Sequence, residues 1–175
     1  MKKWLLWGGL GLLLTLLGLG LFRAQQGQVG IGQSAPDFEL ETFSGNTYRL
    51  ADQRGKVVVI NFWASWCESC KPEAEDLEMA WRKYRDGGEV LFLGVDYTDT
   101  EPEAMAYLDE FQITYPNGPD LRTKISQAYR IRGVPETYVI GRDGKIAHVQ
   151  IGPFQSQAAI ESIVETILND SFSIE

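Results

Sequence analysis

Cys67 and Cys70 are the only two cysteines of the chain. They stand in the run Asn61-Phe62-Trp63-Ala64-Ser65-Trp66-Cys67-Glu68-Ser69-Cys70-Lys71-Pro72. The β-branched stretch Val57-Val58-Val59-Ile60 leads into that run and an amphipathic helical pattern follows it. This order predicts a buried strand, a short turn, and a helix that begins at the first cysteine. A sulfur placed there faces unpaired backbone N–H groups and the positive end of the helix dipole, which favour thiolate over thiol. The second cysteine, about one turn further on, can close a disulfide with the first. Thiolate and resolving thiol together make a two-electron redox switch. A zinc site fits the residues less well, because it needs about four ligands and His148 is the only further soft donor. A purely structural disulfide across so short a loop would constrain the unfolded chain little. No metal and no cofactor is expected.

The elements that must position this pair can be read on either side of it. Phe38-Glu39-Leu40-Glu41-Thr42 alternates apolar and polar, Ser44-Gly45-Asn46 has turn chemistry, and Thr47-Tyr48-Arg49-Leu50 returns as a second short strand. Beyond the cysteines, Ala74, Leu77, Trp81 and Tyr84 recur at helical spacing, and Asp86-Gly87-Gly88 stops the helix. Pro72 belongs in the first turn if the helix starts near Cys70, and produces a kink if it starts at Cys67. Val90–Val95 reads as a second buried strand, Thr98-Asp99-Thr100-Glu101-Pro102 marks the start of a helix that holds Ala104–Phe111, Tyr115–Asp120 reads as a loop, and Leu121–Tyr129 as a further helix. Gly133-Val134-Pro135-Glu136-Thr137 opens a strand, Gly141-Arg142-Asp143-Gly144 turns into Lys145–Ile151, and a last helix, capped by Ser156, runs to about Leu168. Strands alternating with helices and ending in a hairpin predict an α/β domain, a mixed central sheet with helices on both faces and an N-terminal hairpin extension.

At the N-terminus Met1-Lys2-Lys3 precedes an apolar run from Trp4 to Phe22, broken only by glycines and Thr15. As a helix this run spans roughly 28 Å, enough for a bilayer core. Residues 1–23 are therefore read as one transmembrane helix, an uncleaved signal anchor. The apolar run is too long for a signal peptide and has no small-x-small cleavage site after it. Lysines before the run and only Arg23 after it put the N-terminus in the cytoplasm and the rest outside, on a cell membrane. Residues 24–33, rich in Gln and Gly, read as a linker, and residues 34–173 as the globular domain. A net charge of −8, with no basic run beyond the N-terminus, argues against nucleic-acid binding.

Trp-Cys-x-x-Cys after an apolar strand, with Gly-Val-Pro-Glu-Thr opening a later strand, resembles the thioredoxin fold from about Ser34 onward. The hairpin, the segment from Asp96 to Asn117 and the anchor narrow the resemblance to the extracytoplasmic TlpA/ResA/CcmG (DsbE) group, with its AhpC/TSA-redoxin type of thioredoxin domain. These thiol-disulfide oxidoreductases commonly keep the cysteines of cytochrome c biogenesis reduced. The resemblance implies Cys67 as nucleophile, Cys70 as resolving thiol and Pro135 as a cis-proline that turns the Val134 backbone toward substrate. It also implies that Asn61 stands where cytoplasmic thioredoxins carry a buried aspartate, and that Glu73 takes over proton exchange with Cys70. Glu136 matches the glutamate after the cis-proline in the CcmG type. A solvated helix glutamate at Glu73 and an exposed strand residue at Glu136 are the plainer alternatives. Trp63 and Trp66 are expected to cover the site, one beneath it and one on the rim. Trp66, Val134, Pro135 and Glu136 would then contact substrate. His148 receives no role.

The expected activity is reduction of protein disulfides by a membrane-anchored dithiol. Apocytochrome c is a candidate substrate, and a thiol-type electron donor in the membrane would recharge the pair. Glu68 beside Cys67 disfavours thiolate and no histidine lies between the cysteines to favour it, which leans the pair toward reductant. A disulfide-forming oxidase of the same fold would need a strongly depressed Cys67 pKa. A thiol peroxidase would carry its cysteine in a Pro-x-x-x-Thr-x-x-Cys loop, which is absent. A non-catalytic binding or chaperone module would survive loss of both cysteines.

Overall fold

A computed structural model describes residues 29–170, together with Leu12 and Thr15. The membrane helix expected over residues 1–23 and residues 24–28 of the linker lie outside the described residues. Among the described residues no helix is long and apolar enough to cross a membrane.

A five-stranded sheet orders the domain. It runs β5 (Asn117–Pro119), β4 (Val90–Asp96), β3 (Val57–Trp63), β6 (Glu136–Ile140), β7 (Ile146–Ile151). β3, β4 and β5 are parallel, while β6 and β7 join as antiparallel strands, so the sheet is mixed, as expected. β1 (Glu39–Glu41) and β2 (Thr47–Arg49) pair as the predicted hairpin. The helices are α1 (Lys71–Tyr84), α2 (Glu101–Glu110), α3 (Lys124–Tyr129) and α4 (Gln157–Asp170).

β3 and β4 are apolar along their whole length because both faces of the sheet are covered. Val58, Ile60, Phe62, Leu91 and Leu93 pack on one face against Leu40, Leu50, Ile125 and Tyr129, from the hairpin side and α3. Val57, Val59, Val90 and Phe92 pack on the other face against Leu77, Ala80, Ile160 and Val164, from α1 and α4.

The structure departs from the sequence reading in three places. The helix starts at Lys71, with Cys70 as its cap, and not at Cys67. Pro72 accounts for this: it has no N–H to reach back to Glu68 and its ring would strike that carbonyl, so it is accommodated only in the first turn. Residues 115–120, read as a loop, contain β5. A three-residue strand holding a glycine and a proline has no strand signature, and it is tolerated because it lies at the sheet edge. Third, Gly32 and Gln33, assigned by composition to the linker, are bound to β7. Gly32 N–H donates to Ile146 O (2.8 Å) and Ile146 N–H to Gln33 O (2.9 Å).

Candidate active site

The redox turn occupies the C-terminal end of β3. Cys67 N–H donates to Ala64 O and Cys70 N–H to Cys67 O, each at 3.1 Å, so the four residues form a tight turn that delivers Cys70 to the helix. Cys67 and Cys70 are joined in a disulfide with Cα atoms 5.3 Å apart. Cys67 keeps the larger exposure, 5% against 1%, so an incoming sulfur meets Cys67 first. Glu68 does not act as a lone negative charge beside it, because Lys71 Nζ lies 2.7 Å from Glu68 Oε1.

Two tryptophans frame the turn as expected, one below and one on the rim. Trp63 is buried, stacks on Tyr107 at 4.6 Å, and donates from Nε1 to Asn117 Oδ1 (2.8 Å). Gly94 on β4 makes room for this pair, since a Cβ there would collide with the Asn117 amide and press on Trp63 Nε1. Trp66 is 55% exposed and its Nε1 donates to Thr98 O (3.3 Å). The loop after β4 also holds Ser65, whose N–H donates to Asp99 Oδ2 at 2.6 Å. Val134 packs against the cluster that contains Trp63, Cys67 and Cys70. The Val134–Pro135 peptide bond is cis.

Glu73 lies one turn along α1 from Cys70 and is 1% exposed, so it is not a solvated helix glutamate. Its Oε2 accepts the Phe154 N–H (2.7 Å), and its Oε1 accepts Asn61 Nδ2 (3.1 Å). The second Asn61 Nδ2 hydrogen reaches Thr137 Oγ1 at 2.9 Å. Burial pushes the Glu73 carboxyl up to about 7, against the opposing pull of the Phe154 and Asn61 hydrogen bonds. A buried carboxyl that titrates near neutrality suits proton exchange with a neighbouring thiol.

Glu136 is also buried, but on the other face of the sheet. Its register partner Phe62 points into the hairpin-side core, while Thr137 pairs with Asn61 on the Glu73 side. Its Oε1 accepts the Arg132 N–H (2.7 Å), and the Tyr138 hydroxyl lies 3.2 Å from its Oε2. The carboxylate therefore braces the loop that presents Val134. His148 lies on β7 opposite Val139, and burial lowers its pKa. Among the described residues no group of side chains could hold a metal ion.

Asp96 is the site residue that sequence reasoning passed over. It ends β4 in register with Trp63, is 2% exposed, and its Oδ1 has no hydrogen-bond partner. Burial, then the nearby Asp99 carboxyl, pushes its pKa up to about 7. The available signal was a carboxylate closing an apolar strand at the sheet end that carries the cysteines.

The AhpC/TSA family model matches residues 31–149. The chain belongs to that family. It is 34% identical over 162 residues to the thioredoxin-like protein YneN of Bacillus subtilis, covering 87% of this chain and 91% of that protein. It is 30% identical over 146 residues to the thiol-disulfide oxidoreductase ResA of Bacillus cereus, covering 83% of each. Among solved structures, a thioredoxin-family thiol:disulfide interchange protein from Chlorobium tepidum superposes with a TM-score of 0.71 at 27% identity, over 78% of this chain and 96% of that one. Within the family the chain falls in the TlpA/ResA/CcmG (DsbE) group, and it is a protein thiol-disulfide oxidoreductase.

Proposed function

We propose that this oxidoreductase works as a dithiol reductant of protein disulfides, held at the outer face of a membrane by residues 1–23. The observation that carries the direction is the charge around Cys67. Lys71, four residues further on, is engaged by Glu68, and no histidine stands between the cysteines. The helix N-terminus begins after Cys70. A thiolate with so little stabilisation belongs to a strongly reducing pair.

The reaction starts from the reduced pair. The Cys67 thiolate attacks one sulfur of a substrate disulfide, that disulfide breaks, and a mixed disulfide joins enzyme to substrate. Glu73, as carboxylate, takes the proton of the Cys70 thiol. Cys70 sulfur then attacks Cys67 sulfur, the substrate leaves with both of its sulfurs reduced, and the enzyme retains the Cys67–Cys70 disulfide. Two electrons have passed to the substrate, and a thiol-type donor in the membrane returns them. Resemblance to the ResA and CcmG proteins favours the Cys-x-x-Cys-His haem site of apocytochrome c as substrate.

The deciding measurement is the reduction potential of the full-length chain, equilibrated in dithiothreitol or glutathione buffers. A value near or below about −270 mV, that of thioredoxin, is expected, whereas one near about −120 mV, that of DsbA, would make the protein an oxidant. Carbonate-resistant membrane association, with the domain accessible to added protease, tests the anchor.

A further inference from the structure

The end of the sheet that carries the cysteines is electrically divided. On the α2 side stand Asp99, Glu101 and Glu103. On the α3 side the fourteen residues from Leu121 to Val134 contain Arg122, Lys124, Arg130 and Arg132 and no acidic residue, in a chain of net charge −8. All four cations are exposed. Among the described residues Arg122, Lys124 and Arg132 form no salt bridge, whereas Arg49, Lys71, Arg82, Lys83, Arg142 and Lys145 each lie against a carboxylate.

The carboxylates nearest in the chain do not cancel this charge from outside. Asp120 is buried with its two oxygens taken by the Ile125 and Ser126 N–H groups. Asp96 and Glu136 are buried as well.

A cleft of about 370 Å³ runs through this surface, lined by Tyr97, Thr123, Ser126, Gln127, Arg130 and Ile131. Its Tyr97 wall adjoins the redox turn: Tyr97 N–H donates to Trp63 O (2.7 Å), and the next residue, Thr98, receives the Trp66 indole. Its Ile131 wall leads within three residues to Val134, which packs beside both cysteines. Two large apolar side chains, Trp66 and Leu121, stand exposed at the same end.

From this charge complementarity we propose that the substrate polypeptide carries acidic side chains next to its reactive cysteine, which lie on the exposed α3 surface beside the cleft, against Arg122, Lys124 and Arg132. The inference rests on the reductase reading for its chemistry, but the docking can be measured apart from it. An acidic segment entering here meets Arg122, Lys124 and Arg132, which have no salt bridge to give up among the described residues, whereas a basic segment would be repelled. The α2 side, by contrast, would repel an acidic one. The charge division therefore sets which way round the substrate lies.

Two measurements on the full-length chain test this. In the first, three cysteine-free peptides that differ only in Asp, Ser or Lys at the flanking positions are titrated while Trp66 fluorescence is followed. The Asp peptide is expected to bind about tenfold tighter than the Lys peptide at low salt, with the gap closing as salt is raised. In R122E/R132E the order should invert. Equal affinities for the three peptides, or an order unchanged in R122E/R132E, would overturn the proposal. In the second, cysteine-containing counterparts of the three peptides, each bearing a disulfide, are offered to the reduced enzyme. Loss of turnover with all three, beside a retained preference for the Asp peptide in the first measurement, would remove the reductase reading and leave the docking surface standing.

Discussion

Glu73 and Asp96 are buried carboxyls at the redox end of the sheet, and each is pushed up to about 7 with burial as the main cause. For Glu73 the sign is set by its ordinary value of 4.5. A carboxyl whose folded value is raised favours the folded state while protonated. Its contribution is complete below the ordinary value and is lost as the pH rises through the folded one. Urea denaturation of the full-length chain between about pH 5 and about pH 8 should therefore show a decline in stability that is shallower in Glu73→Gln. On the proposed mechanism the same substitution removes the proton acceptor for Cys70. Disulfide reduction at neutral pH should fall by roughly a hundredfold and lose its rise around neutrality, as read by stopped-flow kinetics. A rate profile unchanged in Glu73→Gln would remove the carboxyl from the reaction. The family pattern pointed to Glu73, but nothing in the chain around it announces burial. What covers it is the Phe154 backbone, eighty-one residues away. Asp96 escaped notice for a related reason: on paper it ends an apolar run, and only the folded sheet puts it beside Trp63.

At the level of elements, the strands and helices that bear the site follow from period and punctuation, and their joints do not. β3, β4 and the body of α1 stand where the hydrophobic pattern put them, and the Gly141–Gly144 turn stands where its turn residues put it. β5 was hidden, because its assignment rests on pairing with β4 and on Phe43 N–H reaching Asn117 O across its outer edge (2.9 Å). Glu78 is a further hidden joint. It is 2% exposed on α1 and accepts the Thr114 N–H and hydroxyl, each at 2.7 Å, along with Arg82 Nε at 2.6 Å. This ties α1 to the segment between α2 and β5. In sequence Glu78 stands four residues before Arg82 on an amphipathic helix, and nothing nearby in the chain marks it as buried. Glu78→Ala strands the Thr114 N–H and should cost about 2 kcal/mol in chemical denaturation, with little change in reduction potential. Gly94→Ala makes the opposite kind of change. The added methyl breaks the Trp63–Asn117 contact under the disulfide, so it should lower stability by about 2 kcal/mol or more and shift Trp63 fluorescence.

Considered whole, the sheet has both outer strands shielded. The hairpin covers β5, and residues 32–34 cover the start of β7 through the Gly32 and Gln33 hydrogen bonds and the Ser34–Lys145 bridge. An uncovered edge is a template for pairing with another chain. A chain lacking residues 1–33 should therefore be less stable than one lacking residues 1–28, by about 2 kcal/mol for two lost backbone hydrogen bonds, and should self-associate in sedimentation. Equal behaviour of the two truncations would show the strap to be dispensable. That strap also fixes a direction. It meets β7 at Ile146, where β7 begins, whereas the redox end is marked by Gly152, whose N–H donates to Pro135 O (3.0 Å). The six residues of β7 separate the two by roughly 17 Å. On the proposed anchoring, the domain stands on its attachment point like a lamp on a stalk, with the cysteines at the far pole. Soluble polypeptides would approach that pole unhindered, and a donor embedded in the bilayer would have to extend a part of itself outward to touch it.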